Sequence, residues 1–279
     1  MQAGSELLPH LNAAISAAFK AGEEILEVYS RPVEVTLKDD RSPLTEADLR
    51  AHAAIVKVLT ETGYPVLSEE GRTLTVNERQ KWDRYWLVDP LDGTKEFIKR
   101  NGEFTINIAL MERDDQPAGP LGTSSPILGV LYVPVTDVLY FSWAGGGAYK
   151  HEQAATFSVT NAYERAAMSH RLPLIQKTTN YTIVASRSHQ SPETAAFIAK
   201  KEEEQGTVEL TAMGSALKIC LVAEGKADVY PRYAPTMEWD TAAGHAIANE
   251  AGKELIDVTT DGPMRYNKNE LVNNWFIVQ

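Results

Sequence analysis

The sequence predicts an α+β protein in two closely packed halves, and three observations lead there. Apolar residues recur at helical spacing over residues 5–29, and a second such stretch covers 44–63. A run of strand-like pieces joined by tight turns follows, and from residue 181 onward strand and helix alternate. The change of texture divides the chain into an α+β half over residues 1–180 and an α/β half over residues 181–279. With 279 residues, 43% hydrophobic and 23% charged, the composition is that of a globular protein able to bury a large core.

The first helix carries Leu8, Leu11, Ile15, Phe19 and Ile25 at helical spacing. The second lies in "LTEADLRAHAAIVKVLTETG", with Thr45 as N-cap and Gly63 as stop. Strands are expected in "YPVLS", "RYWLVD", "FTINIALM", "ILGVLYVP", "VLYFSWA" and "GAYK", with "VPVTD" and "AGGGA" as hairpin turns. "AGGGAYK" joins two strands and lacks the GxGxxG spacing, so it is no dinucleotide site. The segment "RDDQPAGPLGTSSP" (113–126) is expected to be a long polar turn. Beyond "YTIVASRSH", the pieces "SPETAAFIAKKEEEQG", "SALKICLVAEG" and "DTAAGHAIANEAGKEL" are expected as helices, with "TVELTAM" and "KADVYPR" extended. No linker separates the halves, so a site between them is expected.

A formal net charge of −11 repels nucleic acid and anionic membranes, so an anionic substrate needs local help from cations. No apolar run reaches the length of a membrane span and the first residues lack a signal-peptide layout, which makes the cytoplasm the expected compartment. Cys220 is the single cysteine, so no internal disulfide forms, and its helical context suits a buried structural thiol.

The chemistry concentrates in "WLVDPLDGT", residues 86–94. The strand is expected to end at Asp89 because Pro90 cannot donate to a ladder, with Asp92 or Thr94 capping a helix in "KEFIKR". Two capping acids at a turn account for part of this pattern. A ligand site accounts for more of it: Gly93 admits a ligand to the backbone, and the Gly93 and Thr94 amides face an anion at a helix N-terminus. Acids beside an anion site need a cation between them. "SEE" (Ser68–Glu70) also follows a strand, and Asp240 opens an apolar helix in "PTMEWDTAAGHAI". Separately, Glu69 and Glu70 could be solvated, Asp240 an N-cap or first-turn acid, and Asp48 the third residue of a capping box begun by Thr45. Together, Glu69, Asp89, Asp92 and Asp240 form an oxygen-only ligand set suited to Mg²⁺ rather than zinc, and two such ions ~3.5–4 Å apart would serve phosphate ester hydrolysis.

Asp48, "EE" at 69–70, "DPLDGT" at 89–94 and "WDTAAG" at 239–244 resemble, in order and spacing, the lithium-sensitive, magnesium-dependent phosphatases of the inositol monophosphatase superfamily. "DPLDGTKEFIKRNGEFTINIAL", "GSALKICLVAEGKADVYPR" and "PTMEWDTAAGHAI" are similar to the bacterial 3'(2'),5'-bisphosphate nucleotidases of sulfur assimilation. The resemblance implies a layered α/β/α/β/α sandwich holding two or three Mg²⁺ ions. Glu69, Asp89 and the Leu91 carbonyl would bind the first ion, Asp89, Asp92 and Asp240 the second, and Glu69 with Glu70 a third through water. Thr94 paired with Asp48 would orient the attacking water, so Asp48, Thr94 and Glu70 form the implied catalytic set. The Gly93 and Thr94 amides would hold the phosphate beside Glu69, Leu91, Asp92 and Asp240, while His189, Ser215, Lys218 and Arg232 would meet the nucleotide. The implied substrate is adenosine 3',5'-bisphosphate, cleaved to AMP; peripheral attachment at the inner membrane and the oligomeric state stay open.

The nearest alternative is an inositol monophosphatase or sugar bisphosphatase of the same superfamily. A haloacid-dehalogenase mechanism is disfavoured, because its two aspartates stand two apart whereas Asp89 and Asp92 stand three apart with Pro90 between. A nucleotide- or metal-binding regulator without turnover has no use for Thr94 and Asp48 together.

Overall fold

The computed structural model describes residues 4–32, 35–37, 43–114, 123–174, 180–185 and 191–279. Its elements run α1 (Leu8–Tyr29), β1 (Val35–Leu37), β2 (Pro43–Thr45), α2 (Glu46–Leu59), β3 (Val66–Ser68), α3 (Val76–Arg79), β4 (Arg84–Asp92), α4 (Thr94–Ile98), β5 (Thr105–Arg113), β6 (Ser124–Val133), β7 (Val138–Trp143), β8 (Gly147–Glu152), α5 (Ala162–Ala167) and β9 (His170–Arg171). They continue through β10 (Tyr181–Ala185), α6 (Pro192–Gln205), β11 (Val208–Ala212), α7 (Leu217–Ala223), β12 (Tyr230–Arg232), α8 (Glu238–Glu250), β13 (Leu255–Asp257), β14 (Gly262–Pro263) and β15 (Phe276–Val278).

Strands β3 to β9 form one seven-stranded sheet in sequence order, antiparallel except for the parallel pair β3–β4. Helices α1 and α2 pack together on one face of it, and α8 crosses the other. Both faces are therefore covered, which is why β4 and β5 read as nearly continuous apolar runs rather than alternating ones. Beyond α7 and α8 lies a second layer of strands, β12-β15-β13-β14, with the parallel pair β10–β11 joined to it through a bridge between Ile183 and Val229. Helix α6 covers its outer face. The order is helix, sheet, helix, sheet, helix: an α+β protein in the five-layer sandwich expected from the resemblance.

The apolar stripe of α1 explains its seat, since Leu11, Ile15 and Ile25 are buried. Cys220 is buried on α7, as its context suggested. In the stretch 113–126, by contrast, both strands reach further than a long turn implies: β5 runs to Arg113, β6 starts at Ser124, and Asp114 N–H donates to the Thr123 carbonyl at 2.9 Å. Residues 115–122 of that stretch lie outside the described residues. Among the described residues no helix is long and apolar enough to cross a membrane.

Candidate active site

Parallel pairing sets the first two acids side by side. Ser68 is in register with Val88, and Glu69 N–H donates to the Val88 carbonyl at 3.1 Å, so Glu69 and Asp89 leave the same end of the sheet together.

The strand does not stop at Asp89. It continues to Asp92, and the register against β5 breaks between them: Asp89 faces Asn107 and Asp92 faces Thr105. Three steps on β4 thus oppose two on β5, a bulge that absorbs Pro90, whose missing N–H costs nothing where the ladder is interrupted. In an unbroken strand residues three apart point to opposite faces; the extra residue returns Asp92 to the side of Asp89. The capping expectation is corrected as well. Helix α4 starts at Thr94 with Gly93 at its N-cap in a left-handed conformation (φ 95°) and no side-chain cap. Asp92 Oδ2 instead accepts the Ala216 N–H at 2.6 Å and the Asn107 side-chain amide at 3.3 Å.

Asp240 arrives from the other half, in the first turn of α8, where its Oδ2 accepts the Met237 N–H at 2.9 Å. It is a first-turn acid, since the helix begins at Glu238 rather than at Asp240. Glu69, Asp89 and Asp240 each place a carboxylate oxygen within 4.8 Å of the others. Asp92 stands beside this trio rather than in it. Burial, then the charges of Glu69, Asp92 and Asp240, push the Asp89 carboxyl well above its usual range. Burial and the Asp92 charge do the same to Asp240, and burial raises Asp92 to about 6 against the pull of Lys218 and two hydrogen bonds. Converging acids with this repulsion fit a divalent cation, and an all-oxygen donor set fits a hard one.

Asp48 fills both positions open to it. Its Oδ2 accepts from the Thr45 N–H (2.8 Å) and hydroxyl (2.6 Å), closing the capping box of α2, and its Oδ1 accepts the Thr94 hydroxyl at 3.3 Å. Leu91 is buried between these groups; its N–H donates to Asp89 Oδ1 at 3.0 Å, and its carbonyl lies 3.5 Å from Thr94 Oγ1. Glu70 is half-buried in the turn closed by Gly71 N–H to the Ser68 carbonyl at 3.0 Å.

A cavity of about 560 Å³ opens where residues 92–103 meet residues 213–276, lined by Asp92, Gly93, Ser215, Lys218, Arg232 and Asp240 among others. Ser215 holds a left-handed backbone (φ 49°), and its hydroxyl is buried without a hydrogen-bond partner among the described residues. The Lys218 ammonium donates to the Ser215 and Met213 carbonyls at 2.6 and 3.2 Å, over the Tyr230 ring at 5.7 Å. Burial lowers its pKa to about 8, Arg232 adding to the effect and Asp92 opposing it. Arg232 donates one Nη2 hydrogen bond to the Pro235 carbonyl at 3.2 Å, and its Nε is buried with no hydrogen-bond partner among the described residues. His189 lies outside the described residues. The sequence reading passed over Asn107, whose Oδ1 accepts the Thr105 hydroxyl at 2.9 Å while its amide steadies Asp92. An asparagine inside the apolar run "FTINIALM" was the available signal, since a buried amide needs partners.

Five layers with an oxygen-only acid cluster at the strand ends define a class: α+β sandwiches whose acidic site, beside a cavity, could hold a hard cation. The chain belongs to the inositol monophosphatase family, whose model matches residues 6–277. It is 44% identical over 251 residues to the 3'(2'),5'-bisphosphate nucleotidase CysQ of Salmonella typhimurium, covering 88% of this chain and 90% of that protein. The Escherichia coli K12 protein of the same name is 44% identical over 252 residues, with the same coverage. Among solved structures, CysQ from Bacteroides thetaiotaomicron superposes with a TM-score of 0.86 at 52% identity, over 98% of this chain and 97% of that one. The SuhB protein of Bartonella henselae, at 22% identity and a TM-score of 0.70, shares the fold.

Proposed function

We propose that this protein is a magnesium-dependent 3'(2'),5'-bisphosphate nucleotidase that removes the 3'-phosphate of adenosine 3',5'-bisphosphate, giving AMP and phosphate, in the cytoplasmic chemistry of sulfur assimilation. The observation that carries this is the mixed charge of one cavity: its lining holds the acids Asp92 and Asp240 and, beside them, the cations Lys218 and Arg232. A cation cluster suits the phosphate that leaves, and the two fixed cations suit the phosphate that stays. A substrate with a single phosphate would have no use for the second pair. The nucleotidases named above, similar over most of their length, support the same reading.

In this reading Glu69, Asp89 and the Leu91 carbonyl hold one Mg²⁺, Asp89, Asp92 and Asp240 hold another, and Glu69 and Glu70 reach a third through water. Bound magnesium supplies positive charge that polarises the phosphorus centre and offsets the charge growing on the leaving oxygen. The protein's own part is orientation. The Thr94 hydroxyl, fixed as a donor to Asp48, offers its lone pairs to the attacking water and aims it at phosphorus, while the Gly93 and Thr94 amides grip the phosphate oxygens. Lys218 and Arg232 hold the 5'-phosphate, Ser215 donates its hydroxyl there, and His189 contributes to the same pocket.

The test is phosphate release from adenosine 3',5'-bisphosphate, inositol 1-phosphate and fructose 1,6-bisphosphate, each with Mg²⁺ and with EDTA. Highest kcat/KM on the nucleotide, lost in EDTA, is expected; higher kcat/KM on either other substrate overturns the assignment.

A further inference from the structure

We propose that Glu103 is a positioning residue for the phosphate that is not cleaved, acting through the turn Met213–Ala216; the proposal deepens the nucleotidase reading and rests on it. Glu103 Oε2 accepts the Gly214 N–H at 2.8 Å. Two residues on, the Ala216 N–H donates to Asp92 Oδ2 at 2.6 Å. The turn is therefore pinned at two points by carboxylates from the other half of the molecule. Between the pins sits Ser215 with φ 49°, a conformation that costs a non-glycine residue free energy and persists only where the surroundings enforce it.

What the pins enforce is the seat of Lys218. Its ammonium donates to the Met213 and Ser215 carbonyls, the first in the peptide whose Gly214 N–H Glu103 holds and the second in the peptide whose Ala216 N–H Asp92 holds. If Gly214 is released, Ser215 relaxes, and those carbonyls no longer aim Lys218 into the cavity. The fit at the anchor is close: a Cβ on Gly214 would stand 2.7 Å from the Glu103 carbonyl oxygen and 2.8 Å from Glu96 Cγ. Glu103 is itself held, since its N–H donates to Asn101 Oδ1 at 2.9 Å. Glu103 also lines the cavity.

The experiment compares wild type, Glu103→Ala and Glu103→Gln in Mg²⁺ on adenosine 3',5'-bisphosphate and on 3'-AMP, which lacks the 5'-phosphate. Glu103→Ala should raise KM for the bisphosphate about tenfold with kcat changed less than about twofold, and leave KM for 3'-AMP within about twofold. Glu103→Gln keeps a carbonyl acceptor for Gly214 and should stay within about threefold of wild type on both. Calorimetric titration with AMP, which retains the 5'-phosphate, should show the same tenfold weakening in Glu103→Ala. An equal KM rise on both substrates, a fall confined to kcat, or wild-type behaviour of Glu103→Ala overturns the proposal. Should Glu103→Ala fail to melt cooperatively, Gly214→Ala replaces it, with the same substrate split expected and an even loss on both substrates overturning the proposal. If wild type itself shows no preference for the bisphosphate, the nucleotidase reading falls, while the AMP titration still judges Glu103.

Discussion

The Thr94 hydroxyl lies 3.3 Å from Asp48 Oδ1, joining the first turn of α4 to the cap of α2 across 46 positions of sequence. One carboxylate thus closes a helix with one oxygen and holds a hydroxyl of the candidate site with the other. The two duties separate by mutation. Thr94→Val removes only the hydroxyl and should cost roughly 10²- to 10³-fold in kcat with an unchanged urea midpoint. Asp48→Ala should lose as much activity and, in addition, about 1 kcal/mol of stability through the lost cap. Activity of Thr94→Val above a third of wild type would remove Thr94 from the reaction.

Asp89 is buried, and its carboxylate lies close to those of both Glu69 and Asp240. A charge shared by two cations is worth more than one serving a single cation, so Asp89→Asn should lower kcat by at least ~10³-fold, about 4 kcal/mol of barrier. Steady-state rates in saturating Mg²⁺ check this; retention of a tenth of the wild-type rate speaks against a bridging Asp89.

The same crowding makes a prediction for the protein stripped of metal. Asp92 has its folded pKa raised from 3.8 to about 6, and Asp89 and Asp240 are raised as well. Between the unfolded and folded values the native state binds more protons than the unfolded chain, so stability falls as pH rises through that window. In EDTA the Tm should therefore drop as pH rises from about 4 to about 6, the window that Asp92 sets. Added Mg²⁺ should raise Tm more at the higher pH, where the carboxylates are ionised. A Mg²⁺ shift equal at both values would mean that these acids do not hold the ion.

Arg232 tests the substrate. Its planar fork suits two phosphate oxygens, so Arg232→Ala should lose about 1.5–3 kcal/mol, roughly 10- to 150-fold in kcat/KM, on adenosine 3',5'-bisphosphate. On 3'-AMP the change should be small. An equal loss on both substrates would assign Arg232 to the fold and favour an inositol phosphate as substrate.

Much of this was legible in the residues, and for physical reasons. Helical periodicity found α1 and α2, the Thr45 cap fixed the start of α2, and the strand pieces with their turns anticipated β3 to β8, because each signal is local. The acids of the trio were legible too, because several acidic strand and helix ends in one chain are more than capping alone explains. The bulge was not. A proline after a strand reads as its end, and only the partner strand, through the pairing of Asp89 with Asn107 and Asp92 with Thr105, shows that the ladder resumes. Asp92's bonds to Asn107 and Ala216 were hidden for the same reason: the second partner lies 124 positions away. Glu103 gave no sign at all, because its role depends on a backbone amide, which the sequence does not advertise.

The split origin of the acid trio also orders events during synthesis. Asp89 lies on β4 and Glu69 just past the end of β3, whereas Asp240 stands on α8, after all the strands of that sheet. A nascent chain that has emerged only through β9 lacks both one member of the acid trio and the helix that covers one face of its sheet. On the proposed reading, the cation site is completed only when this late helix docks. On that reading, a ribosome stalled anywhere in between holds a chain whose site is still incomplete.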